Sequence, residues 1–246
     1  MATQTILMFA LALTVFAQED PYDALYRGDE GNVFNQHPNA FLVRMTNGLS
    51  PGKALDVGMG QGRNALYLAS KGWTVTGFDP SKVGVETARR QAGAKRLALK
   101  AIVATSEEFS WGREQWDLIV LTYVGFRNLT SRVMEALRPG GMVLVESYHS
   151  DTAFLRVLGP EHWENNELPT LFAQFRLLQY EDVMDRPDWG IQYGSKNRLV
   201  RLLAQKPVSR PNGCEFDGRV FPFGEKAGRP GELPMLCTSH GWQFQR

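Results

Sequence analysis

Cysteine is scarce in this chain: 246 residues hold two, Cys214 and Cys237, beside four histidines. That excludes a cysteine-dense scaffold. Only His240 lies close to either cysteine, so no zinc-ligand set forms and no metal site is expected. Charge of one sign is lacking too. Lys and Arg total 27 against 26 Asp and Glu, a formal net charge of +1. No basic tract stands out, which argues against a nucleic-acid partner. No apolar run is long enough to cross a bilayer as a helix, so no stable membrane span is expected. Internal repeats and low-complexity tracts are absent, and nothing in the sequence sets an oligomeric state.

What is present suits one full-sized domain with a small appendage: 43% of residues are hydrophobic and 22% charged. The N-terminus carries a continuous apolar run from Ile6 to Ala17, followed at once by Gln18-Glu19-Asp20. Small residues at Val15 and Ala17 fit the pattern before a cleavage point. Residues 1–17 therefore read as a signal peptide and the mature protein as secreted or periplasmic. The alternative is an apolar helix packed on a cytoplasmic protein, because no Lys or Arg precedes Arg27. The two cysteines share the Pro- and Gly-rich block 207–246. A disulfide closing that loop, Cys214 to Cys237, requires an oxidising compartment and agrees with export. Residues 22–206 form the main domain and 207–246 a small β-rich extension.

Apolar runs alternate with helical patterns through the main domain. Residues 21–39 read as a polar segment, and Ala40–Leu49 as a short helix. Strands are expected at 53–59, 73–79, 99–105, 116–123 and 142–148. Helices are expected at 63–72, after a Ser81 cap, and at 127–141. Strand–helix alternation predicts βαβ units and a parallel sheet. Two further strands, 175–182 and 198–207, lack a convincing crossover helix between them. They are expected to pair as an antiparallel hairpin at one sheet edge.

The stretch "LDVGMGQGRNALYLASKGWTVTGFD" carries the chemistry. Gly58, Gly60 and Gly62 follow the first strand and lead into a helix. A glycine turn lets backbone approach a ligand, and the helix start presents free N–H groups to it. Asp79 ends the next strand, where a carboxylate accepts hydrogen bonds from two neighbouring ribose hydroxyls. Both features lie outside the carboxyl ends of the strands, where open α/β sheets bind ligands. Together they describe an adenosine-containing ligand.

The spacing is G-x-G-x-G, with Arg63 where the dinucleotide fingerprint needs its last glycine. With Asp56 ahead of it, "DVGMGQG" resembles motif I of class I S-adenosylmethionine-dependent methyltransferases. Residues 34–206 resemble the small-molecule branch near the tellurite-resistance and thiopurine methyltransferases, most specifically at "GRNALYLASKGW" and "RLVRLLAQKP". The resemblance implies a Rossmann-like, doubly wound, seven-stranded α/β sheet, mostly parallel with an antiparallel last strand. It implies methyl transfer from S-adenosyl-L-methionine to a small-molecule acceptor such as a thiol or metalloid. Asp56, Gly58, Gly60 and Gly62 would hold the methionine part, and Asp79 the ribose. The family's acidic residue for the adenine amine has no match here, and Ser106 or Glu107 would substitute. Tyr123 and His149 are the candidate bases for an oxygen or nitrogen nucleophile. Two alternatives remain: a non-catalytic exported protein that keeps the fold, and an NAD-dependent oxidoreductase.

Overall fold

The computed structural model describes residues 20–28, 34–125, 127–152, 162–189, 195–208, 213–229, 231, 233–238 and 241–244. The N-terminal apolar run lies outside the described residues.

The segment read as polar opens instead with a helix, α1 (Pro21–Arg27). Its ends are well signalled. The Asp20 side chain accepts from the Tyr22 amide, Pro21 stands in the first turn, and Gly28 closes it at φ 79°. α2 (Ala40–Thr46) follows, capped by Asn39.

β1 (Lys53–Val57), α3 (Arg63–Ser70), β2 (Thr74–Asp79), α4 (Lys82–Ala94), β3 (Leu99–Val103) and β4 (Trp116–Thr122) then alternate as expected. Ser81 caps α4, whose Val85, Ala88 and Ala92 are buried. After a 3₁₀ turn at Arg127–Leu129, α5 (Thr130–Ala136) is shorter than the pattern predicts. Leu137 already belongs to β5 (Leu137–Tyr148), which takes in the Pro139-Gly140-Gly141 stretch. α6 (Glu167–Leu171), β6 (Arg176–Asp185) and β7 (Asn197–Gln205) complete this part.

The seven strands lie in the order β3-β2-β1-β4-β5-β7-β6. β1 to β5 pair in parallel, whereas β7 pairs antiparallel with both β5 and β6. β6 is the edge of the hairpin. Buried strands explain the continuous apolar runs. In β4, Ile119 and Leu121 join the core on one face, while Leu118 and Val120 join the other. All four are fully buried, and each contributes roughly 2 kcal/mol of hydrophobic stabilisation.

The extension forms β8 (Gly213–Phe216), β9 (Arg219–Pro222), β10 (Lys226–Ala227), β11 (Met235–Thr238) and β12 (Gly241–Phe244). They make a two-stranded and a three-stranded antiparallel sheet. Cys214 and Cys237 are joined by a disulfide, as the sequence suggests.

Candidate active site

The sheet order reverses between β1 and β4, so their carboxyl ends open a crevice. A cavity of about 350 Å³ sits there. Gly58, Met59 and Gly60 from the loop after β1, Asp79 after β2, and Tyr123 after β4 line it.

The loop needs its glycines. Gly60 has φ 53°, and a Cβ on it would lie 2.4 Å from the Tyr26 hydroxyl. Gly62 has φ 82°, and a Cβ there would meet the Ala88 Cβ at 2.8 Å. A side chain at either position would push α1 or α4 away.

Asp79 is tied to that loop. Its Oδ2 accepts from the Gly60 amide at 2.8 Å and its Oδ1 from the Ser81 amide at 2.9 Å. Burial raises its pKa to about 6, with the two amides opposing the rise. Each oxygen keeps lone-pair capacity for a hydroxyl donor.

Asp56 lies beneath the loop rather than on the cavity wall, 1% exposed. Its Oδ2 has no hydrogen-bond partner. Burial lifts its pKa to about 7, against the nearby charge of Arg63.

α1 walls the cavity with Tyr22 and Tyr26. It is anchored by Asp23, whose buried carboxylate accepts from the Ser81 hydroxyl and from the Val83 amide at 3.1 Å. That places a carboxylate at the N-terminus of α4, where the helix dipole favours it. The helical signals around Asp20–Gly28 could have revealed this wall from sequence.

A second group of polar residues, beside the cavity, is invisible to motif reading. Glu146, on β5, accepts from Tyr123 Oη, from Asn39 Nδ2 at 2.7 Å, and from Arg201 Nε. Asn39 Nδ2 also reaches Asp188 Oδ1 at 3.1 Å. Arg63 donates to the same Oδ1 at 3.0 Å and to the Asp188 carbonyl at 2.8 Å. Burial, then the nearby Asp188, raises the Glu146 pKa, while Arg201 opposes the rise. Burial and Glu146 push the Tyr123 phenol well above its usual range.

Several expected residues lie elsewhere. His149 is fully buried and is absent from the cavity wall. Its Nδ1 accepts from the Asp151 amide at 3.1 Å, so it packs inside the fold instead of facing a substrate. Ser106 and Glu107 are also off the wall. The Ser106 hydroxyl donates to Glu107, and its carbonyl takes Trp111 Nε1 and an Arg132 guanidinium N–H. Neither side chain is held toward the nucleoside crevice. Gly62 supports the loop from behind.

Comparison with known proteins settles the kind of domain. Residues 54–141 match the family described as "Methyltransferase domain". Residues 54–141 thus read as a methyltransferase domain. This methyltransferase domain is 31% identical, over 65% of the chain, to hemagglutinin 1 of Eikenella corrodens, covering 56% of that protein. It is 28% identical, over 64% of the chain, to the probable S-adenosyl-L-methionine-dependent methyltransferase TehB of Haemophilus influenzae (strain 10810), covering 58% of it. The chain thus spans less than two thirds of the length of either curated relative. The crystal structure of TehB from Haemophilus influenzae superposes with a TM-score of 0.58 at 21% identity, covering 68% of this chain and 61% of that one. A methyltransferase domain, rather than a nicotinamide-dependent one, accounts for the displaced third glycine.

Proposed function

We propose that the protein transfers a methyl group from S-adenosylmethionine to a small-molecule acceptor. One observation carries the reading: the Asp79 carboxylate is fixed on the cavity wall by the Gly60 amide. The residues present fit the cofactor. Gly58 and Gly60 leave backbone open to it, and Asp79 suits ribose hydroxyls. When bound, the cofactor supplies a methyl group activated by a positive sulfur. The protein's contribution is to align the acceptor and exclude water. α1 and the aromatic wall do the excluding, and Tyr123 stands at the tip of β4 where an acceptor is held. The cavity volume suits a small molecule rather than a polymer.

The disulfide is consistent with a secreted or periplasmic protein. Export after Ala17 is part of the proposal, and mass spectrometry of the mature N-terminus tests it: an intact Met1 would count against it. A second reading is cofactor binding without turnover. It rests on the absence, among the described residues, of a carboxylate from the β3 end on the cavity wall. Formation of S-adenosylhomocysteine with any acceptor would remove it.

The deciding experiment is calorimetry of S-adenosylmethionine on wild type and Asp79→Ala. Loss of two charge-assisted hydrogen bonds weakens binding by on the order of 100-fold. Unchanged affinity in Asp79→Ala would overturn the proposed site.

A further inference from the structure

Four aromatic rings form an arc along the cavity wall. The Tyr26 and Phe34 centroids are 5.0 Å apart, Phe34 and Trp189 5.7 Å, and Trp189 and Tyr123 5.8 Å, the last pair stacked at 19°. All four residues line the cavity. Aromatic rings attract a cation through their electron-rich faces.

Several polar groups on or beside this wall already have partners. Tyr123 Oη donates its proton to Glu146, whose oxygens also receive Asn39 and Arg201. That hydroxyl therefore offers only lone pairs to an acceptor molecule. Arg63 is the sole cationic side chain among the described residues lining the cavity. Its guanidinium is taken up by Asp188 and by the His37 carbonyl. Asn35 donates to the Asp188 carbonyl, and Asn64 to the Thr122 hydroxyl. An oxyanion or thiolate would meet the Asp79 carboxylate on this wall and, among the described lining residues, a single cation, Arg63, already paired with Asp188. A nitrogen base meets rings and a lone pair.

We propose that the methyl acceptor is a small amine, held by the Tyr26–Phe34–Trp189–Tyr123 arc and released as a methylated ammonium ion. This rests on the methyl-transfer reading above. The uncharged amine nitrogen uses its lone pair to form the new bond to the methyl carbon. The carbon–sulfur bond breaks, and its electron pair leaves with sulfur. The acceptor reacts as the free base, its own proton having been left with solvent beforehand; positive charge then moves from sulfur to nitrogen, and the arc stabilises the new cation. An N–H on a primary or secondary amine would be oriented by Tyr123 Oη.

The test separates the acceptor site from the cofactor site. Calorimetry with S-adenosylhomocysteine alone scores the cofactor reading. Choline is then titrated, with and without S-adenosylhomocysteine, against its uncharged analogue bearing tert-butyl in place of trimethylammonium. The expected result is choline binding roughly tenfold tighter than the analogue in wild type and Trp189→Phe, with the preference lost in Trp189→Leu. Equal binding of the two compounds by wild type, or a preference that survives in Trp189→Leu, would overturn the arc assignment. The wild-type comparison stands even where a variant fails to fold. With S-adenosylmethionine supplied, dimethylaminoethanol should outpace mercaptoethanol and selenite in releasing S-adenosylhomocysteine; a faster thiol or selenite would overturn the amine assignment.

Discussion

In the sheet region, β4 alone buries Leu118, Ile119, Val120 and Leu121 completely. In the extension, the only apolar side chains buried to a similar class among the described residues are Cys214, Ala227 and Cys237. Its remaining cohesion comes from the Phe216, Phe221 and Trp242 rings, packed edge to face with centroids 5.7 to 6.5 Å apart. Val220 and Phe244 stay exposed. One part of the chain is held by removal of apolar area from water, the other by a covalent link across a small cluster. A core too small to hold itself needs such a staple. The candidate site belongs wholly to the first part, so the redox state of the second should not reach it.

Three experiments sharpen or break that contrast. The largest effect is expected from Leu118→Ala, which empties the centre of the sheet. It should cost about 2–5 kcal/mol, read from denaturant unfolding, with the ring signals of Trp242 unchanged below the transition. A loss below about 1 kcal/mol would contradict the burial described for β4. Next comes reduction of Cys214–Cys237. Opening a loop of sequence separation 23 should cost the extension about 3 kcal/mol. Near-ultraviolet circular dichroism should show its rings released while S-adenosylmethionine affinity holds; a parallel loss of affinity would join the two regions.

The smallest effect concerns charge within the sheet region. Asp56 has its pKa raised from 3.8 to about 7 by burial. The folded chain therefore retains a proton that the unfolded chain has released, and stability falls as pH rises from about 4 to 7. Asp56→Asn should gain on the order of 2 kcal/mol over wild type at about pH 8, the difference closing towards about pH 4. A pH-independent difference in thermal midpoint would refute that account of the orphaned carboxylate.

Strand order of appearance, the closing hairpin, the glycine loop and Asp79 were legible because each is a local pattern. Period, turn chemistry and spacing lie within about 30 residues of one another, the size of a βαβ unit. The Glu146 network was not. Asn39 and Glu146 are 107 residues apart, and Asn39 and Asp188 149 apart, so only the folded sheet brings them together. His149 misled for a related reason. A histidine just past a strand end can face outward, yet here it is fully buried and bridged to Trp163. Ser106 and Glu107 were placed by family position, but Ser106 hydrogen-bonds its own neighbour, and its carbonyl ties Trp111 and Arg132. α1 is written in its caps, since Asp20, Pro21 and Gly28 mark both of its ends.

The anchoring of α1 has a practical bearing on any handle attached to this protein. Asp23 clamps the helix onto the start of α4, and Tyr26 touches the glycine loop. A tag or fusion partner joined just ahead of Asp20 would hang from the pocket's own wall and compete with whatever enters it. Purification handles and fluorophores belong at the opposite terminus, beyond β12.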